Sequence, residues 1–128
     1  TGHGVGAYLG VHEGPQSIGT REANAALEPG NILSNEPGYY EPGAYGIRIE
    51  SLILVTEDPV RTSPGKQWLR FETITLCPID TRLVEPKLLS ADEKRWLNDY
   101  HAAVRRALAP HLDAPERRWL AQATAPVK

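Results

Sequence analysis

Four residues have the type and the setting to do chemistry. His3 lies in Gly2-His3-Gly4-Val5-Gly6, where flanking glycines remove side-chain bulk and let backbone or ligand come close. His12 lies in Val11-His12-Glu13-Gly14-Pro15, between an apolar stretch and a turn. Glu36 follows the apolar pair Ile32-Leu33 and precedes Pro37-Gly38, a sharp departure that would hold its side chain at a cleft edge. Glu50 shares a strand face with Arg48 in a segment otherwise suited to burial, so its carboxylate needs a partner. One imidazole with several carboxylates forms a hard, oxygen-rich donor set. It suits Mn, Fe, Co or Zn in a carboxylate-bridged site better than a thiolate-bound structural zinc. Two bridged ions activate a water and polarise a carbonyl. The residues permit this chemistry without demanding it. Each has a plainer reading as well: hydrogen-bonded structural histidines, a capped turn at Glu36, an Arg48–Glu50 ion pair. Glu28 and Glu41 sit in turn-like, solvated surroundings. His101 and His111, on and after a helical tail, read as surface or packing residues.

The elements that must position these groups are marked by glycine and proline. All 11 Gly lie at or before Gly65, and Pro-Gly pairs stand at 29–30, 37–38, 42–43 and 64–65. Residues 88–125 hold no Gly and are rich in Ala, Leu, Arg and Trp. A turn-rich β portion followed by a helical tail is expected. Strands are expected over 7–12, 31–35, 46–56 and 68–77, with Leu52 to Val55 apolar on both faces and buried on both. The last two strands read as a long hairpin at the centre of the sheet, joined through Pro59 and Ser63-Pro64-Gly65. Residues 16–26 read as a turn or loop of a helical layer. In the tail, Ser90 to Glu93 forms a capping box. Trp96, Leu97, Tyr100, Val104 and Leu108 follow at helical spacing, and Pro110 marks the end. Asp113 caps a second, shorter helix, completing an αα-hairpin.

Composition excludes several classes. The chain has 128 residues and a net charge of −2, with no basic cluster. A nucleic-acid surface and a polybasic membrane anchor are not expected. The longest strictly aliphatic run is Leu52 to Val55, too short to cross a bilayer, and no signal peptide is visible. The single Cys77, among Ile74, Leu76 and Ile79, reads as a buried structural thiol. A cytoplasmic location fits. There is no Met, and Thr1 opens inside a glycine-rich run, which reads as a processed product or a piece of a longer chain.

Four runs in register carry a resemblance. Thr1-Gly-His-Gly-Val-Gly6, Val11-His-Glu-Gly-Pro15, Ser34-Asn-Glu-Pro-Gly-Tyr-Tyr40 and Gly46-Ile-Arg-Ile-Glu50 resemble the C-terminal part of aminopeptidase P, the Xaa-Pro aminopeptidases of the pita-bread metallopeptidase group. The tail from about Phe71 resembles the region after the catalytic domain in the long-chain branch of that family. The resemblance implies an α+β class: a partial pita-bread fold, with a curved antiparallel sheet, followed by the αα-hairpin. Residues 1–78 would be the C-terminal half of the catalytic domain and 79–128 a helical post-catalytic region. It implies two divalent metal ions, usually manganese, held by two Asp, one His and two Glu. Carried over by motif, His3 is the histidine ligand, Glu36 a ligand and general base, and Glu50 the bridging ligand. His12 contacts substrate and supports the tetrahedral intermediate, and Tyr40 and Arg48 order the ligands. The implied reaction is hydrolysis of the first peptide bond when Pro stands second, through a metal-bridging hydroxide. The two Asp, and a histidine four positions before His3, would lie upstream of Thr1, so three of five ligands are present. A half-site of this kind binds metal weakly, and its exposed sheet edges favour aggregation. The family often dimerises, which makes the C-terminal helices candidates for a homodimer contact. Alternatives are a non-catalytic truncated piece, a prolidase, or a metal-free relative such as creatinase. Intact His3, Glu36 and Glu50 argue against the last. The Val11 to Pro15 run and the tail favour aminopeptidase P over prolidase.

Overall fold

The computed structural model describes residues 1–8, 10–21 and 25–128. The chain divides into two compact units, Thr1–Thr75 and Leu76–Lys128. Together they make an α+β chain, strands first and helices after.

The first unit holds a five-stranded antiparallel sheet and a separate two-stranded hairpin. Its strands are β1 (Gly2–Val5), β2 (Ser17–Ile18), β3 (Ile32–Asn35), β4 (Gly38–Glu41), β5 (Tyr45–Arg48), β6 (Ser51–Glu57) and β7 (Leu69–Thr73). The sheet order is β2-β1-β3-β6-β7, and β4 pairs with β5 alone. Leu33, Ile53 and Val55 form the core, with Ile18, Leu27 and Leu69 packed against it. Leu33 pairs with Ile53, so apolar side chains meet across the ladder on one face.

Several expectations change here. The 46–56 segment is two strands, broken at Ile49-Glu50. The break lies opposite Glu36-Pro37, because Asn35 pairs with Ser51 below it and Gly38 with Arg48 above it. Pro37 has no N–H to give a ladder, so both strands are interrupted at one level. The Ile49 N–H donates to the Pro37 carbonyl across the gap at 3.3 Å. Of the apolar run, Ile53 and Val55 are buried while Leu52 and Leu54 are only half-buried, since within this unit only one face of β6 is covered. The β6–β7 hairpin forms as expected, but β7 is an edge strand rather than central. It ends at Thr73, beyond which the Ile74 and Thr75 N–H groups both turn to the one Leu52 carbonyl, at 3.0 and 3.4 Å, and residues 76–80 are irregular. The expected strand over 7–12 is a turn and bend in its described part, with Leu9 outside the described residues. Residues 16–26 supply the short strand β2, and 22–24 lie outside the described residues.

The second unit holds helices α1 (Ala91–Leu108) and α2 (Ala114–Ala123). Both capping boxes are present, Ser90 with Glu93 and Asp113 with Glu116. A 3₁₀ turn over Ala109–His111, carrying Pro110, separates the helices. α1 buries Leu97, His101 and Val104 on one stripe, and α2 buries Leu120. Trp96 faces out at 58% exposure, and the fully buried His101 takes the place that helical spacing suggested for an aromatic or aliphatic residue. The His101 Nε2 accepts the Ile79 N–H at 3.1 Å, which partners one of the two ring nitrogens, while among the described residues the buried Nδ1 has no partner. Burial, then the nearby Arg105 charge, pushes the His101 pKa down, so it packs as a neutral ring. Cys77 is exposed, not buried, because it lies in irregular chain after the sheet has ended. No helix among the described residues is long and apolar enough to cross a membrane.

Candidate metal centre

The broken level of the sheet is where the candidate side chains meet. His3 on β1 lies beside β3, since Gly4 pairs with Leu33. Its Nδ1 stands 2.9 Å from the Gly4 carbonyl. A carbonyl only accepts, so Nδ1 carries a ring proton and Nε2 is the nitrogen turned toward the cluster. That Nε2 faces Glu36 Oε1 at 3.3 Å. The other carboxylate oxygen, Oε2, faces Arg48 Nη1 at 3.3 Å. The same Nη1 stands 3.7 Å from Glu50 Oε2. Arg48 is held in turn by Tyr40, whose hydroxyl accepts its Nε–H at 2.7 Å and whose ring lies under the guanidinium at 5.8 Å. The ring of His12 meets that of His3 edge-on, centroids 4.3 Å apart. His12, His3, Glu36, Arg48, Glu50 and Tyr40 thus form one continuous set of contacts.

The placement of Glu50 differs from the expectation. It lies off any strand, in the break after β5, and its side chain is 48% exposed rather than buried. The plainer Arg48–Glu50 ion pair is present. Glu28 and Glu41 are exposed, but Glu41 is the last residue of β4 rather than a turn residue, and its carboxylate accepts the Tyr39 hydroxyl.

One participant was not singled out from its residue type. Ser34 is buried at 1% exposure, and its hydroxyl donates to Glu36 Oε1 at 2.7 Å while accepting the His3 backbone N–H at 3.0 Å. A signal existed: Ser34 and Glu36 are two apart on an extended segment, so they share a face. This hydrogen bond is the largest cause of a lowered Glu36 pKa, and the charges of Arg48, His3 and His12 act in the same direction. Because the folded value lies below the ordinary 4.5, ionised Glu36 stabilises the fold in full above that pH. The contribution is lost as the pH falls through the lowered folded value. Ser34→Ala moves the Glu36 titration back toward 4.5, read by carboxyl-carbon NMR. An unchanged midpoint would show that the hydroxyl does not set it.

The donors suit a divalent cation. Two ligands about 2.0–2.2 Å from one ion stand roughly 3 Å apart, close to the separation of His3 Nε2 and Glu36 Oε1. An imidazole whose far nitrogen donates to a carbonyl is oriented as a metal ligand. Among the described residues, however, no group of three or more His, Cys, Asp or Glu side chains is assembled to hold an ion, since Arg48 stands between Glu36 and Glu50.

Comparison with known proteins supplies the family. Residues 1–57 match the model of metallopeptidase family M24, and residues 67–127 match that of the C-terminal region of peptidase M24. The chain belongs to metallopeptidase family M24. All four motif runs of this M24 chain fall inside the first match. It is 50% identical over 132 residues to a probable Xaa-Pro aminopeptidase P of Coprinopsis cinerea, covering 99% of this chain and 21% of that protein. It is 47% identical over 129 residues to aminopeptidase P1 of Lotus japonicus, covering 99% and 20%. The M24 chain therefore spans about a fifth of the length of the curated relatives it matches. Among solved structures it resembles the X-prolyl aminopeptidase of Caenorhabditis elegans, described as a cytosolic enzyme with a di-nuclear active site. That match has a TM-score of 0.88 and 44% identity, and covers 99% of this chain and 21% of the other. The expected fold class, a partial pita-bread α+β arrangement, is the one the M24 chain has.

Proposed function

We propose that this M24 chain is the C-terminal part of an aminopeptidase that hydrolyses the first peptide bond of substrates with Pro in second position. Residues 1–78 are its share of the catalytic domain, and 79–128 the helical region that follows. The observation that carries the reading is the His3–Glu36 pair: an imidazole nitrogen, its ring oriented by the Gly4 carbonyl, facing a carboxylate that Ser34 fixes. His3, Glu36 and Glu50 would hold divalent ions, with two further carboxylates supplied by upstream sequence. Manganese is the ion proposed. Bound ions supply Lewis acidity and an activated water.

The chain's own residues do the rest. Glu36 accepts the proton of the attacking water, for which its lowered pKa keeps it ionised and available. His12, edge-on to His3, contacts the substrate carbonyl oxygen and stabilises charge developing there. Arg48, tied to Tyr40, orients Glu36 and Glu50. The proposed setting is the cytoplasm, and the proposed assembly a homodimer through the helical region.

Elemental analysis after dialysis, with hydrolysis of a Xaa-Pro peptide against a Xaa-Ala control, tests the reading. The whole protein is expected to retain metal and cleave only the Pro-containing peptide. The 128-residue chain alone is expected to bind metal weakly and show no turnover. A metal-loaded whole protein that leaves Xaa-Pro peptides intact would overturn the proposed activity. Turnover by the chain alone would overturn the need for further ligands.

A further inference from the structure

The loop between β1 and β2 is built around Glu13. Its base is closed by backbone hydrogen bonds: Gly4 N–H to the Gln16 carbonyl at 2.9 Å, and Glu13 N–H to the Gly4 carbonyl at 3.0 Å. The Glu13 carboxylate folds back into the loop instead of turning to solvent. Its Oε2 accepts the Tyr8 N–H at 3.2 Å, and its Oε1 accepts the Gly10 N–H. A carboxylate is a strong acceptor for backbone N–H groups that otherwise have no ladder partner.

The glycines agree with this arrangement. A Cβ on Gly6 would overlap Glu13 Oε2, one on Gly10 would stand 3.0 Å from Oε1, and one on Gly4 would overlap the Glu13 carbonyl oxygen. Three glycines thus leave room for one residue. At the loop tip the described residues Tyr8 and Val11 are 97% and 73% exposed. His12 is the last loop residue before Glu13. Its ring position against His3, centroids 4.3 Å apart and planes at 64°, therefore depends on how the loop is tied.

We propose that Glu13 is the positioning residue for His12: its carboxylate, bonded to the Tyr8 and Gly10 N–H groups, fixes the loop that sets the His12 ring against His3. The role rests on the Xaa-Pro aminopeptidase reading only for the consequence in turnover. The Glu13 carboxylate bonds to the Tyr8 and Gly10 amides, and it is not among the proposed ligands. It acts by limiting the orientations His12 can take, and losses of this indirect kind run to about 10–100-fold.

Two variants of the whole metal-loaded protein test it from opposite sides. Glu13→Ala removes the carboxylate, whereas Gly6→Ala keeps it but takes away its space. Both are expected to lower kcat about 10–100-fold with metal content and KM for a Xaa-Pro peptide near wild type. In the metal-free protein both should also lose the nuclear Overhauser contact between the His3 and His12 rings, and speed hydrogen exchange at the Tyr8 and Gly10 amides. An unchanged thermal unfolding profile separates these effects from general misfolding. If either variant keeps the ring contact and the slow amides, the clamp is wrong. Loss of activity strictly in step with loss of metal would also overturn it. Should the wild-type protein cleave no Xaa-Pro peptide, the proposed function fails, and the ring contact and amide exchange still decide the role of Glu13.

Discussion

Glu36→Gln is expected to strip the protein of bound metal and lower Xaa-Pro turnover by at least about 10²–10⁴-fold, the usual worth of a positioned general base alone. The substitution keeps size and leaves an oxygen for the Ser34 hydroxyl, so the local fold should survive. What it removes is the anion. Glu36 faces His3 through one oxygen and Arg48 through the other, at 3.3 Å each, and both contacts depend on a full negative charge. With an amide there, the imidazole has no anionic neighbour to share a cation with, and Arg48 keeps Glu50 as its only carboxylate partner in the cluster. Glu50→Ala should act alike on metal content. His12→Ala should not: it lowers turnover but leaves most metal bound, because the His12 ring meets His3 edge-on and is not among the proposed ligands. Elemental analysis beside kcat for the three variants separates them. Full metal occupancy in Glu36→Gln would remove Glu36 from the ligand set.

The second large effect is structural. A Cβ on Gly2 would overlap the backbone carbonyl oxygen of Ser34. That oxygen cannot swing aside, because Ser34 lies in β3, paired through Leu52 to β6 on its other side. Gly2→Ala must therefore push β1 away from β3. Overpacking of this kind costs about 1–3 kcal/mol or more, and here it also pulls the His3 N–H from Ser34 Oγ. Gly19→Ala is the control, since among the described residues its nearest neighbour would be the Arg21 nitrogen at 4.0 Å. It is expected within about 0.5 kcal/mol of wild type. Urea unfolding midpoints read both. Equal midpoints would refute the close approach of β1 and β3.

The order of residues was enough wherever the deciding partners are near in sequence. Both helix starts are legible because a capping box needs only residues three apart, Ser90 with Glu93 and Asp113 with Glu116. The β6–β7 hairpin is legible because Ser63-Pro64-Gly65 carries its own turn chemistry, with Gly65 at φ +71. The four motif runs named the candidate residues and their family.

Tertiary structure decided what depends on distant partners. The break in the 46–56 segment follows from Pro37 across the sheet, invisible from the apolar run itself. Trp96 turned outward and His101 inward because Ile79, 22 residues before His101, donates a hydrogen bond to its ring. Cys77 is exposed because the sheet ends at Thr73. The union of His3 with Glu36 spans 33 positions in sequence and is made by β1 lying against β3, with buried Ser34 hydrogen-bonded to both. Residue types and local spacing marked which side chains could bind a cation. Strand pairing, which local spacing does not specify, set which nitrogen faces which oxygen and placed Arg48 between the two glutamates.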